Sequence, residues 1–171
     1  MIDIQNLEVH NEGGRLLSSA SFRLKKGVFL SIFGPSSSGK TLLLNFIADQ
    51  QNDGLKYSSE SHWTRTDPIY FLKQGETPQN QFLKHPNFYQ SLVLVDEPEN
   101  NFTIEEFSLL AKKMKEHDGT LVFSTHHLDF LESFADEILV LRYGEFKGVY
   151  SKESFFNNDD PYIDYLSRMG C

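Results

Sequence analysis

One run of eight residues has the spacing of a phosphate-binding loop. It follows an apolar stretch, precedes a helical pattern, and consists of Gly34, Pro35, Ser36, Ser37, Ser38, Gly39, Lys40 and Thr41. The glycines let successive backbone amides turn toward phosphate oxygens at the positive end of the helix. Lys40 adds a charge at the β- and γ-phosphates, and the Thr41 hydroxyl is suited to bind Mg²⁺. The run predicts a site for a nucleotide with Mg²⁺; the alternative is a simple Gly/Ser turn.

Two acidic residues, Asp96 and Glu97, follow a second apolar strand further along the chain. Two charges at the end of a buried strand are costly unless a cation or solvent meets them. We expect Asp96 to hold Mg²⁺ through its water shell. We expect Glu97 to orient and deprotonate the water that attacks the γ-phosphate. The alternative is that the pair only starts a loop or caps a helix.

A third apolar strand ends in Thr125, His126 and His127. A neutral imidazole can donate a hydrogen bond to the γ-phosphate, and we predict this role for His126. We do not expect His127 to share it, because the side chains of adjacent residues point in different directions. The alternative is that both histidines are ordinary polar residues at a strand end.

Apolar and alternating patterns predict the strands that position these residues. The predicted strands are residues 2–9, 20–24, 28–33, 69–72, 92–95, 120–124, 137–142 and 146–150. Helical periodicity follows Lys40 and returns after Thr103, which has the capping-box spacing to Glu106. Strands that alternate with helices predict an α/β fold with a mostly parallel sheet, whose ligand sites lie at the carboxyl ends of the strands. Residues 151–171 are predicted to form an appended turn and short helix, outside a core of residues 1–150.

The composition indicates one acidic domain. The chain has 171 residues, a formal net charge of −8 and a pI near 5.2, without a dense basic cluster. We therefore expect no direct binding of nucleic acid. Its longest apolar runs hold four or five residues, whereas a membrane span needs about 20. The chain also opens without the pattern of a secretion signal. These features predict a cytoplasmic protein without a transmembrane segment.

Taken in order, the loop at 34–41, the run 96–98 and the pair 125–126 resemble the nucleotide-binding domains of ABC transporters over nearly the whole chain. Residues 20–27 look like that family's strand before the P-loop, and residues 69–74 look like the entry to its Q-loop.

This resemblance implies a P-loop ATPase core with antiparallel strands in its N-terminal part and with ATP and Mg²⁺ as ligands. It implies that Gln74 senses Mg²⁺ and the attacking water. It also implies a dimer and a membrane permease partner at the inner face of the membrane.

The chain departs from the family pattern at two places. Only the short segment 75–95 joins Gln74 to Asp96, where the family has a helical subdomain and a Ser-Gly-Gly signature loop; that tripeptide is absent from this sequence. Residues 99–103 replace the family's stretch that ends in Leu-Asp. A symmetric homodimer would therefore lack half of each site. The base preference is open, because His10 or Asn11 lies where the family has an aromatic residue.

Three functions follow from these observations. The first is an ATPase that couples hydrolysis to a membrane transport partner. The second is an ATPase switch of a DNA repair or phage-defence complex, because residues 96–100 look like the corresponding stretch of nuclease-fused ABC-type ATPases. The third is a nucleotide-binding regulator with little turnover, because one set of charges around the γ-phosphate is missing.

Overall fold

The computed structural model describes residues 2–49, 54–60, 62–63, 68–74 and 91–169. Most of the segment 75–95, which joins Gln74 to Asp96, lies outside the described residues. The strands β1 to β10 are Ile2–Asn11, Gly14–Leu24, Phe29–Phe33, Lys56–Ser58, His62–Trp63, Ile69–Leu72, Leu92–Asp96, Thr120–Thr125, Glu137–Arg142 and Glu145–Ser151. The helices α1 to α5 are Lys40–Ile47, Ile104–Glu116, Leu128–Phe134, Lys152–Phe156 and Pro161–Met169, and a 3₁₀ turn covers Pro98–Asn100.

The strands form one mixed ten-stranded sheet, in the order β4-β1-β2-β10-β9-β3-β8-β7-β6, with β5 paired to β1. From β9 to β6 every neighbouring pair is parallel. At the other side, β1 pairs antiparallel with β2, β4 and β5. The predicted α/β class, a mostly parallel sheet with flanking helices and N-terminal antiparallel strands, is therefore confirmed.

The central strand β3 is buried on both faces, which explains why its sequence is almost continuously apolar. Phe29 and Phe33 lie in one hydrophobic cluster, whereas Leu30 and Ile32 lie in the other. The first cluster is completed by α2, α3 and the two C-terminal helices, and the second by α1 and the N-terminal strands. Helices thus cover both faces of the parallel strands, and α1 is fixed directly after β3.

Some elements differ from the sequence-based expectation. The second strand begins at Gly14 instead of residue 20, and β1 and β2 change register several times, which breaks the alternation of apolar and polar residues. The short strands β4 and β5 and the seven-residue helix α3 were not predicted. Strands of two or three residues are too short for an alternating pattern, and a helix of seven residues makes only about two turns, too few for helical periodicity to be recognised. None of the described helices is long and apolar enough to span a bilayer.

The C-terminal segment forms two helices rather than one. Phe155 of α4 is fully buried, and its ring packs edge-on against Phe33 at a centroid distance of 5.7 Å. Ile163 and Leu166 of α5 join the same cluster. The segment thus supports the strand that leads into the loop at Gly34. A division of the chain at residue 150 remains a prediction.

Candidate functional site

Three neighbouring parallel strands end at the same edge of the sheet. The last residue of β3, Phe33, pairs with Thr125 at the end of β8, and Asp96 at the end of β7 pairs with Ser124. The residues after these ends therefore meet beside the N-terminus of α1. An open cleft of about 460 Å³ lies there, lined by Ser36, Ser37, Ser38, Gly39, Lys40, Thr41, Leu42, Gln74, Glu97 and His126.

The glycine-rich loop depends on glycine at both of its ends. A Cβ at Gly34 would come within 2.3 Å of the carbonyl oxygen of Leu141, so the backbones approach too closely for any side chain. Gly39 has a φ of 101° and serves as the N-cap of α1, a conformation that favours glycine. The Gly144 amide donates to the Ser38 carbonyl at 3.1 Å and ties the loop to the β9–β10 turn. The loop is therefore a fixed turn at a helix N-terminus.

The lysine of the loop lies across the loop backbone. Lys40 is 5% exposed, and its Nζ donates to the carbonyl oxygens of Gly34 at 2.8 Å and Pro35 at 3.0 Å. Pro35 also accepts a hydrogen bond from the Ser38 amide at 3.2 Å. A phosphate oxygen is a charged acceptor and forms a stronger bond with an ammonium group than a carbonyl oxygen does. The arrangement suits the capture of a phosphate group.

Asp96 is a buried carboxylate with donors on both oxygens. It is 3% exposed; Thr41 Oγ1 donates to Oδ2 at 2.8 Å, and Ser124 Oγ donates to Oδ1. Thr41 and Asp96 therefore present hard oxygen atoms side by side, which is the donor set that Mg²⁺ prefers. These residues fit a magnesium ion. Sequence reasoning missed Ser124, whose only signal was its position at the end of a predicted strand.

Glu97 is held in place by three hydrogen bonds and an unusual backbone. Its φ is 49°, which is rare for a residue with a side chain. Its amide donates to Ser124 Oγ at 2.9 Å, and its Oε2 accepts from Gln74 Nε2 at 2.7 Å and Asn100 Nδ2 at 2.9 Å. Asn101 fixes the same turn by donating to the Lys73 carbonyl at 3.0 Å. Gln74 lines the cleft, but its role as a magnesium ligand remains a prediction.

Both histidines lie beside these carboxylates. Nδ1 of His126 is 3.8 Å from Glu97 Oε1 and 3.5 Å from Glu99 Oε1. The rings of His126 and His127 have centroids 4.3 Å apart, so the two side chains do not point in different directions, although His127 is not among the residues that line the cleft. Side chains alternate only within a strand, and β8 ends at Thr125. His127 is already the N-cap residue of α3.

Sequence reasoning also missed two residues of the 3₁₀ turn. Asn100 contacts Glu97, as described above, and Glu99 accepts a hydrogen bond from Thr125 Oγ1 at 2.9 Å. The Glu99 side chain is 10% exposed. Their signal was a position two or three residues after the acidic pair, but the spacing alone does not show that they turn back toward the cleft.

No protein-family model matches the chain. The ribosome protection protein VmlR of Bacillus subtilis is 22% identical over 82% of the chain, which spans 34% of that protein. The ABC transporter ATP-binding protein MJ1023 of Methanocaldococcus jannaschii is 22% identical over 98% of the chain and 83% of its own length. The dimeric structure of the ATP-binding cassette MJ0796 with ADP and Pi superposes with a TM-score of 0.68 and 20% identity, over 89% of the chain and 99% of MJ0796.

The chain thus spans about a third of the length of VmlR but nearly all of MJ0796. MJ1023 and MJ0796 are ATP-binding cassette proteins. The resemblance to this class and the P-loop ATPase fold are therefore confirmed.

Proposed function

We propose that this chain, which has the fold of an ATP-binding cassette, binds ATP with Mg²⁺, hydrolyses it, and couples the cycle to a membrane transport partner. One observation carries the proposal: Thr41 Oγ1 donates to Asp96 Oδ2 at 2.8 Å, directly beside the cleft lined by Lys40 and Glu97. A phosphate-binding loop, a hard-oxygen pair and a fixed carboxylate are what phosphoryl transfer to water requires.

Each residue has a part in this reaction. The loop amides and Lys40 bind the β- and γ-phosphates, and Thr41 with Asp96 would hold Mg²⁺. Bound there, Mg²⁺ would neutralise charge on the phosphate oxygens. Gln74 and Asn100 engage Oε2 of Glu97, which leaves Oε1 to accept a proton from the attacking water. His126 also lines the cleft and donates a hydrogen bond to the γ-phosphate.

The test is ATP turnover of the purified chain with Mg²⁺, beside the variants Glu97→Gln and Glu105→Gln. Glu105 is an exposed glutamate in the first turn of α2 and serves as the matched control. Glu97→Gln should lower turnover by about 10²–10⁴-fold, while a fluorescent ATP analogue binds as tightly as to the parent. Glu105→Gln should behave as the parent does. Parental turnover in Glu97→Gln would contradict the proposal.

The proposed transport partner is supported by similarity to other proteins and not by the geometry of the cleft. Its support is the relative MJ1023, an ABC transporter ATP-binding protein, together with the cassette fold. We place the chain in the cytoplasm, at the inner face of the membrane beside a permease subunit. A tagged chain recovered from its native cells with ATP should retain an integral membrane protein. Stimulation of the ATPase rate by DNA would instead favour a DNA-coupled switch.

We further propose that two cassettes assemble around the nucleotide, as supported by the dimeric MJ0796 cassette that binds ADP and Pi. The sequence has no Ser-Gly-Gly tripeptide to close over a partner's γ-phosphate. The opposing half of each site must therefore come from other residues of a second copy or from a different chain.

A further inference from the structure

Three side chains converge at the rim of the nucleotide cleft: Glu99 from the turn after β7, and His126 and His127 from the end of β8. Each offers one nitrogen or oxygen atom, and the three atoms lie within 4.8 Å of one another. We propose that Glu99, His126 and His127 bind a transition-metal ion of the Zn²⁺ class, at a site separate from the magnesium of the nucleotide.

Two buried polar atoms in this cluster have no hydrogen-bond partner among the described residues. They are Oε2 of Glu99 and Nδ1 of His126. The Glu99 side chain is 90% buried, because only 10% of it is exposed. The contact between His126 Nδ1 and Glu99 Oε1, at 3.5 Å, is longer than a normal hydrogen bond of about 2.7–3.2 Å. An ion bound between these residues would satisfy both unpaired atoms at once.

The spacing of the cluster suits a bound ion. Ligands bonded to one tetrahedral zinc ion at about 2.1 Å lie roughly 3.4 Å from each other. Nδ1 of His126 and Oε1 of Glu99 already have this separation at 3.5 Å, and Oε2 of the same carboxylate is the oxygen without a hydrogen bond. His127 is exposed, and its ligand atom lies within 4.8 Å of those of the other two residues. Thr125 Oγ1 donates to Glu99 Oε1 at 2.9 Å and fixes the carboxylate, as groups behind metal ligands commonly do.

The ligand types select the ion. Two imidazoles and one carboxylate are a common donor set of zinc sites, whereas Mg²⁺ prefers oxygen ligands only. Three protein ligands leave a fourth position for water or a phosphate oxygen. Because His126 also lines the cleft, that position is within reach of the nucleotide. The assignment concerns metal binding alone and does not depend on ATP hydrolysis.

The test is calorimetric titration of the nucleotide-free full chain with Zn²⁺ in excess Mg²⁺. We expect one ion to bind, with affinity lowered at least about tenfold in Glu99→Gln and in His127→Ala, since loss of groups that merely support ligands costs this much. The matched control is His10→Ala. His10 also lies beside a glutamate, Glu8 at 3.2 Å, but on β1, five strands from β8 in the sheet order. The His10→Ala variant should bind Zn²⁺ as the parent does.

Cobalt gives a second readout that does not depend on affinity. The parent with Co²⁺ should show the visible absorption of a four-coordinate site, and both cluster variants should lose it. Urea unfolding of each variant checks that the fold is retained; exposed His127 and the isosteric Glu99→Gln change should preserve it. Absence of saturable Zn²⁺ binding overturns the proposal. Unchanged binding in folded cluster variants, or loss of binding in His10→Ala, overturns it as well.

Discussion

Ser124 connects the two acidic residues of the cleft, although it carries no charge itself. Its hydroxyl donates to the buried carboxylate of Asp96 and accepts from the backbone amide of Glu97. Ser124 is itself fully buried, so water cannot readily replace it. One small side chain thus fixes the carboxylate proposed to face the metal and the backbone of the proposed base.

Replacement of this serine by alanine should therefore cost stability. Ser124→Ala leaves a buried acceptor and a buried donor without their partner, and such losses cost about 1–3 kcal/mol of the free energy of unfolding. Urea unfolding of the parent and the variant measures the difference. Ser58→Ala, on the exposed strand β4, is the control and should change stability by less than about 0.5 kcal/mol. Equal stability of Ser124→Ala and the parent would contradict this account.

At the level of elements, the turn between β7 and α2 supplies three polar side chains, Glu97, Glu99 and Asn100. The helix begins with a complete capping box: the Thr103 amide donates to Glu106 Oε2 at 2.9 Å, and the Glu106 amide donates to Thr103 Oγ1 at 3.2 Å. The sequence spacing predicted this box, and the structure confirms it. The box fixes the end of the turn that holds Glu99 and Asn100.

Loss of the capping box should weaken the helix start. Thr103→Ala removes the side-chain acceptor of the box and should lower the free energy of unfolding by about 1 kcal/mol. Ser108→Ala, an exposed position within the same helix, is the control. It should be neutral or slightly stabilising, because alanine has the higher helix propensity. Both are measured by thermal or urea unfolding, and a Thr103→Ala variant no less stable than Ser108→Ala would contradict the assignment.

The C-terminal helices α4 and α5 support β3 from one face of the sheet. Phe155→Ala should lower the free energy of unfolding by about 3–5 kcal/mol, the usual cost of a buried phenylalanine. The packing partner Phe33 directly precedes Gly34, so ATP-analogue binding should weaken as well. Tyr165→Ala on α5, 59% exposed, is the control. An unaffected Phe155→Ala variant would show that residues 151–169 are an appendage.

For the molecule as a whole, the proposed nucleotide site needs a second polypeptide to complete it. The proposed dimer should form when ATP is bound and cannot be hydrolysed. In sedimentation velocity with Mg-ATP, Glu97→Gln should therefore sediment as a dimer, with a dimer fraction that rises with protein concentration. The double variant Lys40→Ala/Glu97→Gln should remain a monomer, because it lacks the lysine that binds the phosphates. A monomeric Glu97→Gln with bound ATP would rule out a homodimer and require a different partner chain.

Local sequence patterns were sufficient to predict the features that depend on neighbouring residues. The spacing from Gly34 to Thr41 predicted a loop before a helix, and the structure has that loop before α1. The apolar strand before Asp96 and the capping box at Thr103 were predicted for the same reason: backbone preferences and hydrogen bonds within a few residues decide them. The alternation of predicted strands and helices was also sufficient for the α/β class.

Contacts between side chains of different strands could not be predicted and became visible in the folded sheet. The register that pairs Asp96 with Ser124 brings together residues from β7 and β8, and nothing near either residue encodes that pairing. The same is true of Glu99 and the two histidines. They become neighbours because β7 and β8 end at the same edge of the sheet, and the segments after both strands turn toward the cleft. Pairing between distant strands depends on packing of the whole sheet, so a local pattern cannot specify it.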